Sequence, residues 1–162
     1  MKIGILGSGS VAQTLAAGFL KHGHEVTLGT RDVKKLADFL KAHPKAKAGS
    51  AAEAAKVGEV LVLAAKGSAA EAMLASAGAA NLAGKPVIDA TNPIADAPPQ
   101  NGVLKFFTDL NTSLMEQLQG KFPAAHFVKA FNSVGSAHMV DPAFEGGAPT
   151  MFIAGNNDAA KA

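Results

Sequence analysis

The 162-residue sequence has no cysteine, no tryptophan and no tyrosine. Without cysteine there can be no disulfide framework, no thiolate metal site and no cysteine nucleophile, and the lack fits a cytoplasmic location. Without tyrosine, proton transfer through a phenol is excluded within this chain. Charged residues are few, at 17%, and the net charge of +2 comes from both signs interspersed. That balance argues against a nucleic-acid surface. No stretch approaches the roughly 18 consecutive apolar residues of a membrane helix, so no membrane partner is expected. Gly7 to Ser10 interrupts the first apolar run and no cleavage site follows, which argues against a secretory signal. No H-x₃-H or carboxylate–histidine grouping suggests a metal, and no G-x-S-x-G elbow suggests a hydrolase.

What is present begins at the N-terminus. The apolar run Lys2–Leu6 leads into Gly7-Ser8-Gly9-Ser10-Val11-Ala12, a buried strand turning tightly into a helix. The first N–H groups of such a helix are unpaired and carry partial positive charge, so they favour an anion. Gly7 permits the turn and Gly9 leaves room for a diphosphate. Ala12 stands where the dinucleotide fingerprint accepts Gly or Ala for close helix–strand contact. Gly7, Ser8, Gly9, Ser10 and Val11 are therefore candidate cofactor-binding residues.

Apolar runs alternate with helical patterns along the rest of the chain, the signature of a parallel sheet covered by helices. The pattern predicts strands at Lys2–Leu6, Glu25–Leu28, Glu59–Ala64, Pro86–Ala90, His126–Ala130 and Thr150–Ala154, with a short strand near Lys45–Ala48. Val11, Leu15 and Phe19 mark the buried face of the first helix. Ser50 with Glu53, Ser68 with Glu71, and Ser113 with Glu116 have capping-box spacing and predict three helix starts. The expected fold is α/β, a doubly wound Rossmann sheet ordered 3-2-1-4-5-6 with helices on both faces and a further edge strand. Asn92 to Asn111 reads as one long irregular loop. The C-terminal Asp158–Ala162 is too short for an independent helix, so the expectation is one dinucleotide-binding domain over 1–162 that lacks a C-terminal portion.

Nucleotide choice is set at the end of the second strand. Here the chain reads Leu28-Gly29-Thr30-Arg31-Asp32, with Lys35 one turn on. Arg offers a fixed fork of donors for phosphate oxygens and Thr adds a hydroxyl, so Thr30, Arg31 and Lys35 point to NADP(H) over NAD(H). Asp32 is expected to turn away and cap the following helix. Ala65, after the fourth strand, is small enough for close cofactor approach. Asn92, held extended by Pro93, and Asn132 can aim amides at the nicotinamide side. Lys129 is expected at the solvent or the sheet edge. Of the five histidines only His138 falls in an expected cleft loop, where a structural role is commoner than a catalytic one.

With these residues in hand, the chain resembles the NADPH-dependent oxidoreductases of the deazaflavin-coenzyme (F420) reductase type, whose fold and motifs also occur in the reductase domain of the Steap metalloreductases. The resemblance rests on Gly7–Val11, Gly29-Thr30-Arg31, Asp89-Ala90-Thr91-Asn92-Pro93 and Val128-Lys129-Ala130-Phe131-Asn132. It implies a phosphate-cradling role for Ser8 to Val11, 2′-phosphate contacts from Thr30, Arg31 and Lys35, and nicotinamide-side roles for Ala130 and Asn132. It also implies that residues 1–162 are an NADP-binding domain lacking a C-terminal dimerisation or acceptor-site portion, so a homodimer is one expectation. The function expected is hydride transfer between NADP(H) and a flat small-molecule redox acceptor, a flavin or deazaflavin (F420). Such transfer requires no protein acid or base, and no catalytic side chain is assigned. A non-catalytic NADP(H)-binding sensor is the alternative.

Overall fold

The computed structural model describes residues 1–147 and 149–162. In chain order the elements are β1 (Lys2–Leu6), α1 (Ser10–Lys21), β2 (Glu25–Gly29), α2 (Ala37–Ala42), β3 (Lys47–Gly49), α3 (Ala51–Val57), β4 (Val60–Leu63), α4 (Ala70–Ala77), α5 (Ala79–Leu82), β5 (Pro86–Asp89), α6 (Leu114–Lys121), β6 (His126–Lys129) and α7 (Asp158–Lys161). The six strands form one parallel sheet ordered β3-β2-β1-β4-β5-β6. This is the doubly wound α/β Rossmann architecture that the sequence pattern predicts.

Alternation along the strands decides which face each side chain joins. Leu61, Leu63, Val87 and Phe127 pack with Ala54, Leu74, Leu82 and Leu118 under α3, α4, α5 and α6. Ile3, Ile5, Val26, Leu28 and Val62 pack on the opposite face with Ala12, Leu15 and Ala16 of α1 and with Leu36 and Phe39. Burial on both faces explains why these strands read as continuous apolar runs. Each fully buried Leu or Ile contributes about 1.5–3 kcal/mol. On α1 the buried residues are Ala12, Leu15, Ala16 and Gly18, whereas Val11 and Phe19 are only half-buried. The stripe expected from Val11, Leu15 and Phe19 is thus rotated toward the small residues, which let the helix lie close to the sheet.

Three other expectations are corrected. No strand forms at Thr150–Ala154; Ala154 alone pairs, antiparallel to Lys129. Residues 131–147 contain only a one-turn 3-10 segment at Ser136–His138, so no helix carries the chain back to start another parallel strand. The Ser68/Glu71 capping box is also absent: α4 starts after Ala69 without a side-chain cap, Ser68 Oγ donates to Asp96 Oδ2 at 3.0 Å, and Glu71 pairs with Lys121 at 2.5 Å. Both other boxes are complete. Finally, the loop after β5 contains no helix or strand but is not wholly irregular. Ile94 bridges Phe106 and Gln100 bridges Val103, both antiparallel, around Asn101 at φ 51° and Gly102 at φ 79°. Those paired positive φ values suit an Asn-Gly hairpin turn.

Candidate functional site at the carboxyl edge of the sheet

Because every strand runs the same way, the loops after β1, β2, β4, β5 and β6 gather along one edge. The order reverses between β1 and β4, which opens a groove there. Gly9, Ser10 and Val11 line one wall of this groove of about 200 Å³; Ala64, Ala65, Lys66 and Ala90 line the other. Gly7 has φ 150°, and a Cβ on it would collide with the Ala64 carbonyl oxygen. Around Gly9 a Cβ would meet nothing, so that space stays open to a ligand. Gln13 Nε2 donates to the Ser8 carbonyl oxygen at 2.9 Å and fixes the turn.

The start of α1 differs from those of α3 and α6. Its N-cap, Gly9, supplies no side-chain acceptor, and its first turn carries no acidic residue. In α3 and α6 the N-terminal N–H groups are answered by Ser50 and Glu53, and by Ser113 and Glu116. Those hydrogen bonds hold the Glu53 and Glu116 carboxyls below the usual range. The α1 terminus is therefore left to an external anion, and the groove beside it fits the diphosphate of a dinucleotide.

At the end of β2, Thr30 is buried. Its hydroxyl donates to Ser8 Oγ at 3.1 Å and accepts from the Asp32 N–H at 3.2 Å. This ties the glycine-rich turn to the β2 tip and brings two sequence-picked residues together. Asp32 caps the 3-10 turn Val33–Leu36, its Oδ1 accepting from the Lys34 N–H at 3.0 Å. Arg31, Lys34 and Lys35 are exposed and enter no ion pair among the described residues, leaving their charge facing the rim.

Further along the edge, Asn92 Nδ2 donates to the Asn132 carbonyl oxygen at 2.8 Å, so the two sequence-picked asparagines meet. Both line a second cleft of about 550 Å³, walled by Thr91 and Lys129 and by the start of α6. Ala130 is buried at the end of β6, its N–H donating to the Asp89 carbonyl oxygen. Lys129 does not face solvent as expected. Its Nζ donates to Asp89 Oδ2 at 2.7 Å and to the Thr91 carbonyl oxygen at 2.8 Å, and its side chain is only 19% exposed. Asp89 is fully buried and also accepts from the Thr91 N–H and hydroxyl at 2.9 and 2.7 Å. Sequence reasoning missed this network. The sequence shows opposite charges ending two apolar runs, but only the register that pairs Asp89 with Lys129 makes them partners.

Lys66, on the groove wall, pairs with Asp96 at the base of the hairpin; with Ser68 it holds the Asp96 carboxyl below its ordinary range. His138 lies against Phe144, with ring centroids 5.0 Å apart and the planes tilted by 38°, and enters no ion pair among the described residues. No group of three or more metal-ligating side chains occurs among the described residues.

The sequence model of the family described as NADP oxidoreductase, coenzyme F420-dependent, matches residues 2–93. Among solved structures, an Arthrobacter sp. FB24 protein named as a candidate F420-dependent NADP-reductase is 37% identical, with a TM-score of 0.93 over 99% of this chain and 76% of that one. A Sinorhizobium meliloti protein named only as hypothetical is 24% identical, with a TM-score of 0.81 over 99% and 75% of the two chains. An imine reductase from Streptomyces aurantiacus shares the fold at 15% identity and a TM-score of 0.64, over 85% of this chain and 43% of that one. No protein among the curated sequences matches.

Proposed function

The chain belongs to the coenzyme F420-dependent NADP oxidoreductase family, and from that premise we propose that it moves hydride between NADP(H) and a flat flavin-like or deazaflavin acceptor. The observation that carries the reading is the uncapped, acid-free start of α1 beside the open Gly9 groove, with the exposed cations Arg31 and Lys35 on the same edge. In this reading the backbone of Ser8 to Val11 holds the diphosphate. Arg31 and Lys35 hold the 2′-phosphate, and Thr30 fixes Ser8 beside them. Ala65 leaves room for the cofactor backbone. Asn92, Ala130 and Asn132 border the nicotinamide.

When bound, NADPH supplies the hydride, and the protein's part is to stack the two rings at near-contact distance. Lys66 is the one titratable side chain lining the groove among the described residues and it pairs with Asp96; in this reading no side chain acts as general acid or base. We take the protein to work in the cytoplasm and to pair as a homodimer.

Two measurements test this. Mixing the protein with NADPH and either a deazaflavin or FMN should deplete the reduced-nicotinamide absorbance; tight NADPH binding without oxidation by any flat acceptor would favour a sensor. Replacing Arg31 with Ala should weaken NADPH about 10- to 100-fold, the worth of a charged hydrogen bond of roughly 1.5–3 kcal/mol, while NADH changes little. Equal losses for both nucleotides would refute the 2′-phosphate assignment.

A further inference from the structure

Asp89 and Lys129 end adjacent strands in register, and strand alternation turns both toward the α6 side of the sheet, the face that Val87 and Phe127 share. A buried ion pair of this kind adds little stability, because desolvation of both charges offsets their attraction. Its geometry does something else. One Lys129 N–H is spent on Asp89 Oδ2 and another on the Thr91 carbonyl oxygen, while Asp89 Oδ1 takes the Thr91 N–H and hydroxyl. Thr91, only 2% exposed, is thereby gripped at its N–H, its hydroxyl and its carbonyl. The next residue is Asn92, whose amide reaches the Asn132 carbonyl three residues beyond Lys129. The ion pair thus fixes the two loops that border the second cleft.

We infer that Asp89 and Lys129 are positioning residues that set the Thr91–Asn92 turn and the Asn132 loop for the nicotinamide end of the cofactor. The inference rests on the NADP(H) reading above and adds the groups that orient its far end. The adenosine end, at Thr30 and Arg31, lies across the sheet beyond β1 and does not depend on this network.

The test compares NADPH with adenosine 2′,5′-bisphosphate, which lacks the nicotinamide half, by titration calorimetry. K129M alone strands the buried Asp89 charge and is expected to lower thermal stability. The double variant K129M/D89N removes both charges and is expected to melt near wild type. It should bind adenosine 2′,5′-bisphosphate within about twofold of wild type yet bind NADPH about tenfold more weakly. T91V keeps side-chain volume and removes only the hydroxyl bond to Asp89; it is the second variant, with an expected selective NADPH loss of about threefold. An unchanged NADPH-to-bisphosphate ratio in both variants would overturn the inference, as would equal losses of the two ligands. A wild-type protein that binds neither nucleotide would fail the cofactor reading itself and take this inference with it.

Discussion

Two glycines in one turn do different work, and substituting each separates folding from binding. Gly7 sits at φ 150° with the Ala64 carbonyl oxygen where a Cβ would go. Gly7→Ala should cost about 2–4 kcal/mol in urea unfolding, since both the backbone and β4 would have to shift. Gly9 has φ −76° and open space around it. Gly9→Ala should unfold within about 0.5 kcal/mol of wild type but bind NADPH at least about tenfold more weakly, because its methyl enters the volume assigned to the diphosphate. A destabilised Gly9→Ala protein with normal affinity would contradict this division. At this scale the fingerprint spacing made both glycines legible, since each role is local to the turn. Lys129 was not legible, because its partners lie 38 and 40 positions away in sequence and only strand pairing brings them near.

Among the elements, the helix starts make the clearest contrast. Ser50 and Ser113 each accept the N–H three residues on, while Glu53 and Glu116 accept the serine N–H in return. Replacing Ser113 with Ala should cost about 1 kcal/mol by thermal or urea unfolding. Both glutamates have folded pKa values below the ordinary 4.5, through hydrogen bonds from Ser50 and Ser113. A depressed carboxylate pKa stabilises the fold above the unfolded value and loses that contribution as pH falls through the folded one. Stability measured from neutral pH downward should therefore decline once the ordinary carboxylate range is reached, and E53Q/E116Q, which removes the titrating groups, should flatten that part of the curve. The two complete boxes were readable because they need only four consecutive residues. The Ser68/Glu71 spacing misled because tertiary partners, Asp96 for the serine and Lys121 for the glutamate, outcompeted the local box. The Asn101-Gly102 turn was a local signal left unread within a stretch taken as irregular.

On the scale of the whole molecule, the sheet order β3-β2-β1-β4-β5-β6 places the groove at its reversal point and spreads the candidate contacts from β2 to β6. A ligand spanning that edge binds the folded state alone. At a hundredfold excess over its dissociation constant it would add about 2.7 kcal/mol of stability, or roughly 5–11 °C for a domain of this size. Thermal melts should show that rise with NADPH and a smaller one with NADH at equal concentration. No shift with either nucleotide would mean that the edge is not a dinucleotide site.

The sequence alone determined the alternation of strands and helices, the glycine turn and the cationic β2 tip, because each depends on neighbours within a few residues. Its apolar runs were long and regular enough to imply a parallel order as well. Tertiary structure alone decided that Lys129 turns inward to Asp89, that the two asparagines meet, and that the chain after Pro149 returns antiparallel to β6 instead of adding a strand. Those outcomes depend on register between distant segments, and a partner far along the chain leaves no periodicity at either position.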